Sequence, residues 1–265
     1  MSWRKRYDGV EPQRVNKWLA NEGVCSRREA EALIALGLVT IDGARIDDPG
    51  RKVEPGQTIE VEQMHALPRF SIVLNKPIGI VSAQPESGQI PAARLLTRAN
   101  LYAGAMASSR REKAGAMPAV RIPSKHTSLA PLGRLDQDSR GLLLLSEDGV
   151  LARAVIGPDS QLDKEYLVAV IGSISEKKLA LLRHGLVLDG RQLKPALVSP
   201  AGEQRLRFVL REGRNRQIRR MCEAVDLAVT DLQRIRIGPL ELGTLPEGKW
   251  RPLAANERAA LLGER

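Results

Sequence analysis

Between residues 131 and 149 the chain reads P-L-G-R-L-D-Q-D-S-R-G-L-L-L-L-S-E-D-G. Arg134 and Asp136 stand two positions apart there, so in an extended segment both side chains leave on one side. A guanidinium beside a carboxylate favours its ionised form and fixes its direction. That suits a nucleophile or an electrostatic stabiliser better than a proton donor. Structural ion pairs carry the same signature, so the pair alone leaves both readings open. The segment holds no histidine to activate Ser139 or Ser146, which argues against triad chemistry. Asp136, Asp138 and Asp148 offer oxygens to a hard cation, but Arg134 and Arg140 are poor company for a dication, and no metal site is expected. G-x-S-x-G, Walker, H-E-x-x-H and C-x-x-C patterns are all missing.

The acidic segment runs into Gly141–Ser146, a short unbroken apolar run that reads as a strand covered on both faces. SIVLNKPIGIVSA reads as strand, turn and strand, with the turn at Lys76-Pro77 and Gly79. KEYLVAVIG and RLRFVLREG are further strands, LVLDGRQLKPALV is a hairpin about Asp189-Gly190, and DLQRIRIGPLEL is strand-like. NRQIRRMCEAVD predicts a helix with Ile218, Met221, Cys222 and Val225 on its inner face and Asn215 as cap. Arg214, Arg216, Arg219 and Arg220 make its start the densest basic cluster in the chain. Ile218 and Met221 draw Arg219 inward, which leaves the other three for phosphate. NERAALLG closes the chain as a short helix. Strands and helices mix without a regular βαβ rhythm, so the expected class is α+β, with a mixed, largely antiparallel sheet and flanking helices over 70–260. Residues 100–128, rich in Ala, Gly, Ser and basic side chains, read as a flexible insertion.

A smaller unit precedes this one. After a loose basic start (1–13), Val15, Trp18 and Leu19 share a helical face. Ser26 with Glu29 forms a capping box, and Ala30, Leu33 and Ile34 stripe the helix that follows. Asp42-Gly43 predicts a tight hairpin, and Pro55-Gly56 turns the chain into a last strand. Residues 63–69 read as a linker. Over the 265 residues, 41 Lys and Arg against 31 Asp and Glu leave a formal charge of +10, which points to a polyanionic partner. There is no lipidation signal, long apolar stretch or secretory leader, so the expected location is cytoplasmic and no membrane contact is expected. Cys25 and Cys222 read as reduced, buried thiols.

The N-K-W-L-A helix, the C-S-R-R-E-A helix start and the D-G hairpin resemble the S4 domain, an RNA-binding module, over 14–62. That resemblance makes Arg14, Lys17, Arg27, Arg28 and Arg45 candidate phosphate contacts, which position RNA without reading its sequence. The segment around Asp136, together with L-N-K-P-I-G (74–79), K-E-Y-L-V (164–168) and E-G-R-N-R-Q-I-R-R-M (212–221), resembles the pseudouridine synthases that modify ribosomal RNA and carry an S4 domain in front. The likeness is greatest to members acting on the large ribosomal subunit. It implies isomerisation of uridine to pseudouridine in structured RNA, 23S rRNA first, with 16S rRNA or a tRNA still open. It implies no metal, nucleotide or redox cofactor. By the match, Asp136 is the catalytic carboxylate, Tyr166 packs on the uracil and helps remove the C5 proton, and Arg219 pairs with Asp136. Arg134 and Lys76, with Arg214, Arg216 and Arg220, fall on the RNA side. A monomer is expected. A non-catalytic RNA-binding assembly factor is the main rival, and a hydrolase with an acidic nucleophile is a distant third.

Overall fold

The computed structural model describes residues 2–62, 70–102, 104, 122–123, 129–184 and 186–264, with Arg28 described by its backbone. The expected linker at 63–69 lies outside the described residues, as does most of the expected insertion (103, 105–121 and 124–128). Two compact units emerge, residues 1–70 with 147–153, and residues 71–146 with 154–265. Among the described residues no helix is long and apolar enough to cross a membrane.

In the first unit, β1 (Trp3–Arg6), α1 (Val15–Asn21), α2 (Arg27–Ala35), β2 (Val39–Ile41), β3 (Ala44–Arg45) and β4 (Thr58–Val61) follow in order. The strands form an antiparallel sheet in the order β1-β4-β2-β3. The basic start is therefore not loose, because β1 pairs along β4 from Trp3–Val61 to Arg6–Thr58. Aromatic burial repays that ordering. The Trp3 ring lies 5.4 Å from Trp18, and Tyr7 meets Trp18 edge-on at 5.7 Å. Ser26 and Glu29 form the capping box, and Ala30, Leu33 and Ile34 bury against Trp18 and Leu19. Asp42 and Gly43 both have positive φ, 50° and 82°, as a two-residue hairpin turn demands.

In the second unit β5 (Ser71–Lys76), β6 (Arg140–Ser146), β7 (Lys164–Ile171), β8 (Leu197–Pro200), β9 (Arg205–Leu210), β10 (Ala228–Ile237) and β11 (Trp250–Pro252) make one sheet, ordered β8-β9-β7-β10-β6-β5-β11. Its helices are α4 (Glu176–His184), α5 (Gln217–Glu223) and α6 (Ala255–Leu262), while α3 (Gly149–Ile156) runs across the two sets of residues. Every residue of β5 is buried, as is 141–146 of β6, which is why the latter reads as unbroken leucine. The second half of SIVLNKPIGIVSA is only Ile80–Val81, and it pairs with Ile90–Pro91 outside this sheet. Helix α5 begins one residue later than expected. Its cap is Arg216, at a left-handed φ of 49°, and not Asn215. Gln217 closes the turn instead, accepting from the Arg214 N–H through its side chain and donating to the Arg214 carbonyl from its backbone.

Along this strand path the neighbours are antiparallel except β6 and β10, which meet in parallel at Arg140–Gln233 and Gly141–Arg234. Gly141 has φ 104°, and a Cβ there would sit 2.3 Å from the Arg234 carbonyl oxygen. Arg140 forks onto Asp231 of β10 at 2.8 and 2.7 Å beside the crossing. Gly141→Ala should therefore force the two backbones apart and cost about 3 kcal/mol or more. Thermal unfolding checks this, and a native midpoint would contradict it.

Candidate active site

The loop 133–139 leads directly into β6, and α5 leads towards β10. Parallel pairing of those strands brings their two approaches to the same edge of the sheet, so acids from the loop meet arginines from the helix. Asp138 is the meeting point. Arg216 forks onto it at 3.1 and 3.0 Å, and Arg219 adds its Nε at 3.3 Å and donates Nη2 to the Asp138 carbonyl at 2.6 Å. Burial pushes the Asp138 carboxyl up, but the Arg216 hydrogen bond and the charges of Arg219 and Arg216 outweigh it and hold the group below its ordinary value. Arg216 keeps a left-handed backbone to reach this position, a conformation a non-glycine residue holds only where its surroundings impose it.

The expected Arg219–Asp136 pair is not formed. Arg219 is committed twice to Asp138, and the cation beside Asp136 is Arg216, whose Nη1 lies 3.9 Å from Oδ2. The Asp136 side chain remains 37% exposed. Tyr166 is buried in β7 and makes no hydrogen bond to Asp136. Its register partners are Phe208 and Arg234, which puts it on the same sheet face as the Arg234 side chain. That guanidinium is almost wholly buried and donates to the Gly133 and Leu142 carbonyls at 2.9 and 2.8 Å, so Tyr166 shares the face that carries the loop.

Lys76, expected on the RNA side, is fully buried instead. Its Nζ closes the turn after β5 by donating to the Pro77 and Ile80 carbonyls at 2.9 and 2.6 Å, and no phosphate reaches it there. Arg134 is exposed at the lip of the loop. Arg214 donates to the Gln192 carbonyl at 3.0 Å, and Arg220 forks onto Asp189 at the tip of the expected hairpin at 2.9 and 2.6 Å. In the first unit Arg14, Lys17, Arg27 and Arg45 are exposed, and Arg28 lies in the first turn of α2. Asp148 is buried and caps the start of α3 through the Val150 and Leu151 N–H groups, a structural duty. Ser146 hydrogen-bonds the Ser71 hydroxyl at 2.6 Å. Cys25 and Cys222 are both buried, and burial pushes the Cys222 thiol up to about 12. Among the described residues no cluster of His, Cys, Asp and Glu is arranged to hold a metal ion.

In the sequence Asp138 stands out only as an oxygen donor for a hard cation, and Arg234 does not stand out at all. D-x-D places two acids on one side of the chain, and Arg234 stands where the alternation in β10 calls for an apolar residue. Both are signals in hindsight, and neither names its partner.

A profile of the RNA pseudouridylate synthases matches residues 70–224, and one of the S4 domain matches residues 13–59. The dual-specificity RNA pseudouridine synthase RluF of Escherichia coli K12 is 34% identical over 249 residues, covering 92% of this chain and 76% of that one. The chain belongs to the pseudouridine synthase family. The ribosomal large subunit pseudouridine synthase B of Bacillus subtilis is 32% identical over 254 residues, covering 92% of this chain and 93% of its own. A crystal structure of a pseudouridylate synthase superposes with a TM-score of 0.62 at 26% identity, over 94% of this chain and 99% of the other. This synthase thus couples an S4 domain to an α+β catalytic domain.

Lys76 supplies a test of how the site is supported. Burial lowers its ammonium to about 8, with Asp136 and Asp138 opposing the shift and Arg234 adding to it. Between that value and the ordinary lysine value of about 10.4, the unfolded chain holds a proton that the folded one has lost, so this group makes stability rise with pH over the window. Lys76→Met should flatten that rise, as read from denaturation midpoints across the same window. An unchanged slope would place the ammonium in water.

Proposed function

We propose that this synthase isomerises uridine in ribosomal RNA, that of the large subunit first, with Asp136 as the carboxylate that opens the glycosidic bond. One observation carries the assignment within the loop. Asp138 is held by two guanidinium groups at hydrogen-bond range, whereas among the described residues the Asp136 carboxylate accepts no hydrogen bond and meets a single guanidinium at 3.9 Å. The bond from C1′ to N1 breaks, the uracil turns, and C1′ joins C5. The C5 proton then leaves and N1 takes one up, so atoms balance without an external oxidant or reductant. Tyr166, on the sheet face that carries the loop, packs on the base and assists removal of that proton. Arg219 acts on Asp136 at one remove, by fixing Asp138 and thereby the loop.

A uracil in folded RNA must leave its stack to present C5, at a cost of about a few kcal/mol. Arg134, exposed beside the catalytic loop, is placed to hold the strand or fill the vacated stack. Arg214, Arg216 and Arg220 meet phosphates, and Arg14, Lys17, Arg27, Arg28 and Arg45 of the S4 domain extend the contact. The large-subunit preference follows the name of the Bacillus subtilis relative, ribosomal large subunit pseudouridine synthase B, and 23S rRNA is the bacterial RNA of that subunit.

Tritium release from transcripts labelled at uridine C5 tests the two carboxylates separately. Asp136→Asn should lose at least ~10³-fold in turnover with RNA affinity kept within about twofold. Asp138→Asn should lower turnover by about tenfold and not abolish it. The reverse pattern would move the chemistry to Asp138. Native turnover in the Asp136→Asn variant would leave an RNA-binding protein whose chemistry lies elsewhere.

A further inference from the structure

Ser82 grips the backbone immediately before Asp136 from 53 positions away in sequence. Its side chain is buried, and its single oxygen makes two hydrogen bonds to one residue, donating to the Leu135 carbonyl at 2.6 Å and accepting from the Leu135 N–H at 2.9 Å. Those groups belong to the two peptides on either side of the Leu135 Cα, and the second of these peptides ends at the Asp136 nitrogen. Holding both restrains the φ and ψ of Leu135, the dihedrals through which Asp136 would swing. Leu135 is itself buried, so losing the hydroxyl leaves its N–H and carbonyl to find other partners inside the protein.

The grip has a second point beyond Asp136. The Gly79 N–H donates to the Gln137 carbonyl at 2.8 Å, and the Gln137 side-chain amide returns to the Gly79 carbonyl at 3.2 Å. Ser82 and Gly79 come from one short stretch of chain, whose turn the Lys76 ammonium closes on Pro77 and Ile80. Residues 76–82 therefore hold the loop one position before and one position after Asp136, and neither hold uses the Asp136 side chain.

We infer that Ser82 is a positioning residue for the isomerisation, setting the place of the Asp136 carboxylate through the Leu135 backbone; the inference rests on the role proposed above for Asp136. A shift of about 1 Å in a reacting group costs on the order of 10²-fold in rate. Loss of the clamp should thus appear in kcat and leave KM and RNA affinity in place, because a buried hydroxyl makes no contact with RNA.

Thr and Val at this position have the same shape and differ by the hydroxyl, so the pair separates the hydrogen bonds from the packing. Single-turnover tritium release is measured for Ser82→Ala, Ser82→Thr, Ser82→Val and Asp136→Asn on the C5-labelled rRNA transcript that the native protein modifies, with unfolding midpoint and RNA affinity in parallel. Expected is a kcat lower by about 10- to 100-fold for Ala and Val, most of it recovered in Thr, with KM within about twofold throughout. Equal kcat in the Thr and Val variants would overturn the inference, and that pair decides it even where Ala fails to fold. An inactive Asp136→Asn variant beside a fully active Ser82→Ala variant would sink the role of Ser82 alone. Full activity in the Asp136→Asn variant would remove the carboxylate reading on which it stands.

Discussion

The site depends on one close approach, the passage of the β6 backbone against β10 at Gly141 and Arg234. A side chain at 141 would collide with the Arg234 carbonyl, so this is a contact of main chain on main chain. Because the two strands run in parallel there, whatever precedes each of them emerges at the same end. The loop with Asp136 and Asp138 precedes one, and α5 with Arg216 and Arg219 precedes the other. An antiparallel crossing would have sent the acids and the arginines to opposite edges. The Arg140–Asp231 fork beside the crossing then holds the register that makes them neighbours.

Beneath the loop the charge balance is unusual. Arg234 and Lys76 are both buried, and their hydrogen bonds run to carbonyl oxygens, Gly133 and Leu142 for the one, Pro77 and Ile80 for the other. Carbonyls satisfy the N–H groups but leave the positive charge uncancelled, and a buried charge is costly unless something opposes it. Asp136 and Asp138 act on Lys76 in that opposing sense. Asp138 also supports Arg216 and Arg219 from the other side. The two acids therefore divide their duties. One binds the scaffold together, and the other is left open beside it.

Local chemistry is legible in the sequence, and geometry at a distance is not. The Ser26 capping box, the Asp42-Gly43 turn and the unbroken leucine strand each depend on neighbours within a few residues, and each appears as expected. The strand at Trp3–Arg6 is hidden because three of its four residues are charged, and what orders it is the Trp3 ring on a helix some fifteen residues later. Lys76 falls on the RNA side by resemblance, and nothing local reveals that it is wholly buried and closes the turn onto Pro77 and Ile80. Arg219 is matched to Asp136 by resemblance, whereas its carboxylate is Asp138, two positions on. Ser82 carries no local signal at all, since its partner is a backbone 53 positions away.

The distribution of arginines separates two kinds of work. Those at the start of α5 already have protein partners, Asp138 for Arg216 and Arg219, Asp189 for Arg220, the Gln192 carbonyl for Arg214. Any of these that turns to a phosphate gives up an existing bond, so its net gain in affinity is small and its chief effect is on geometry. Arg14, Lys17, Arg27 and Arg45 pair with no carboxylate among the described residues and stand exposed. In the proposed role each takes a phosphate without giving up a carboxylate partner, so salt-sensitive affinity is expected from these positions first. On the proposed reading Arg214, Arg216 and Arg220 meet phosphate chiefly to set geometry, and Arg219 stays on Asp138.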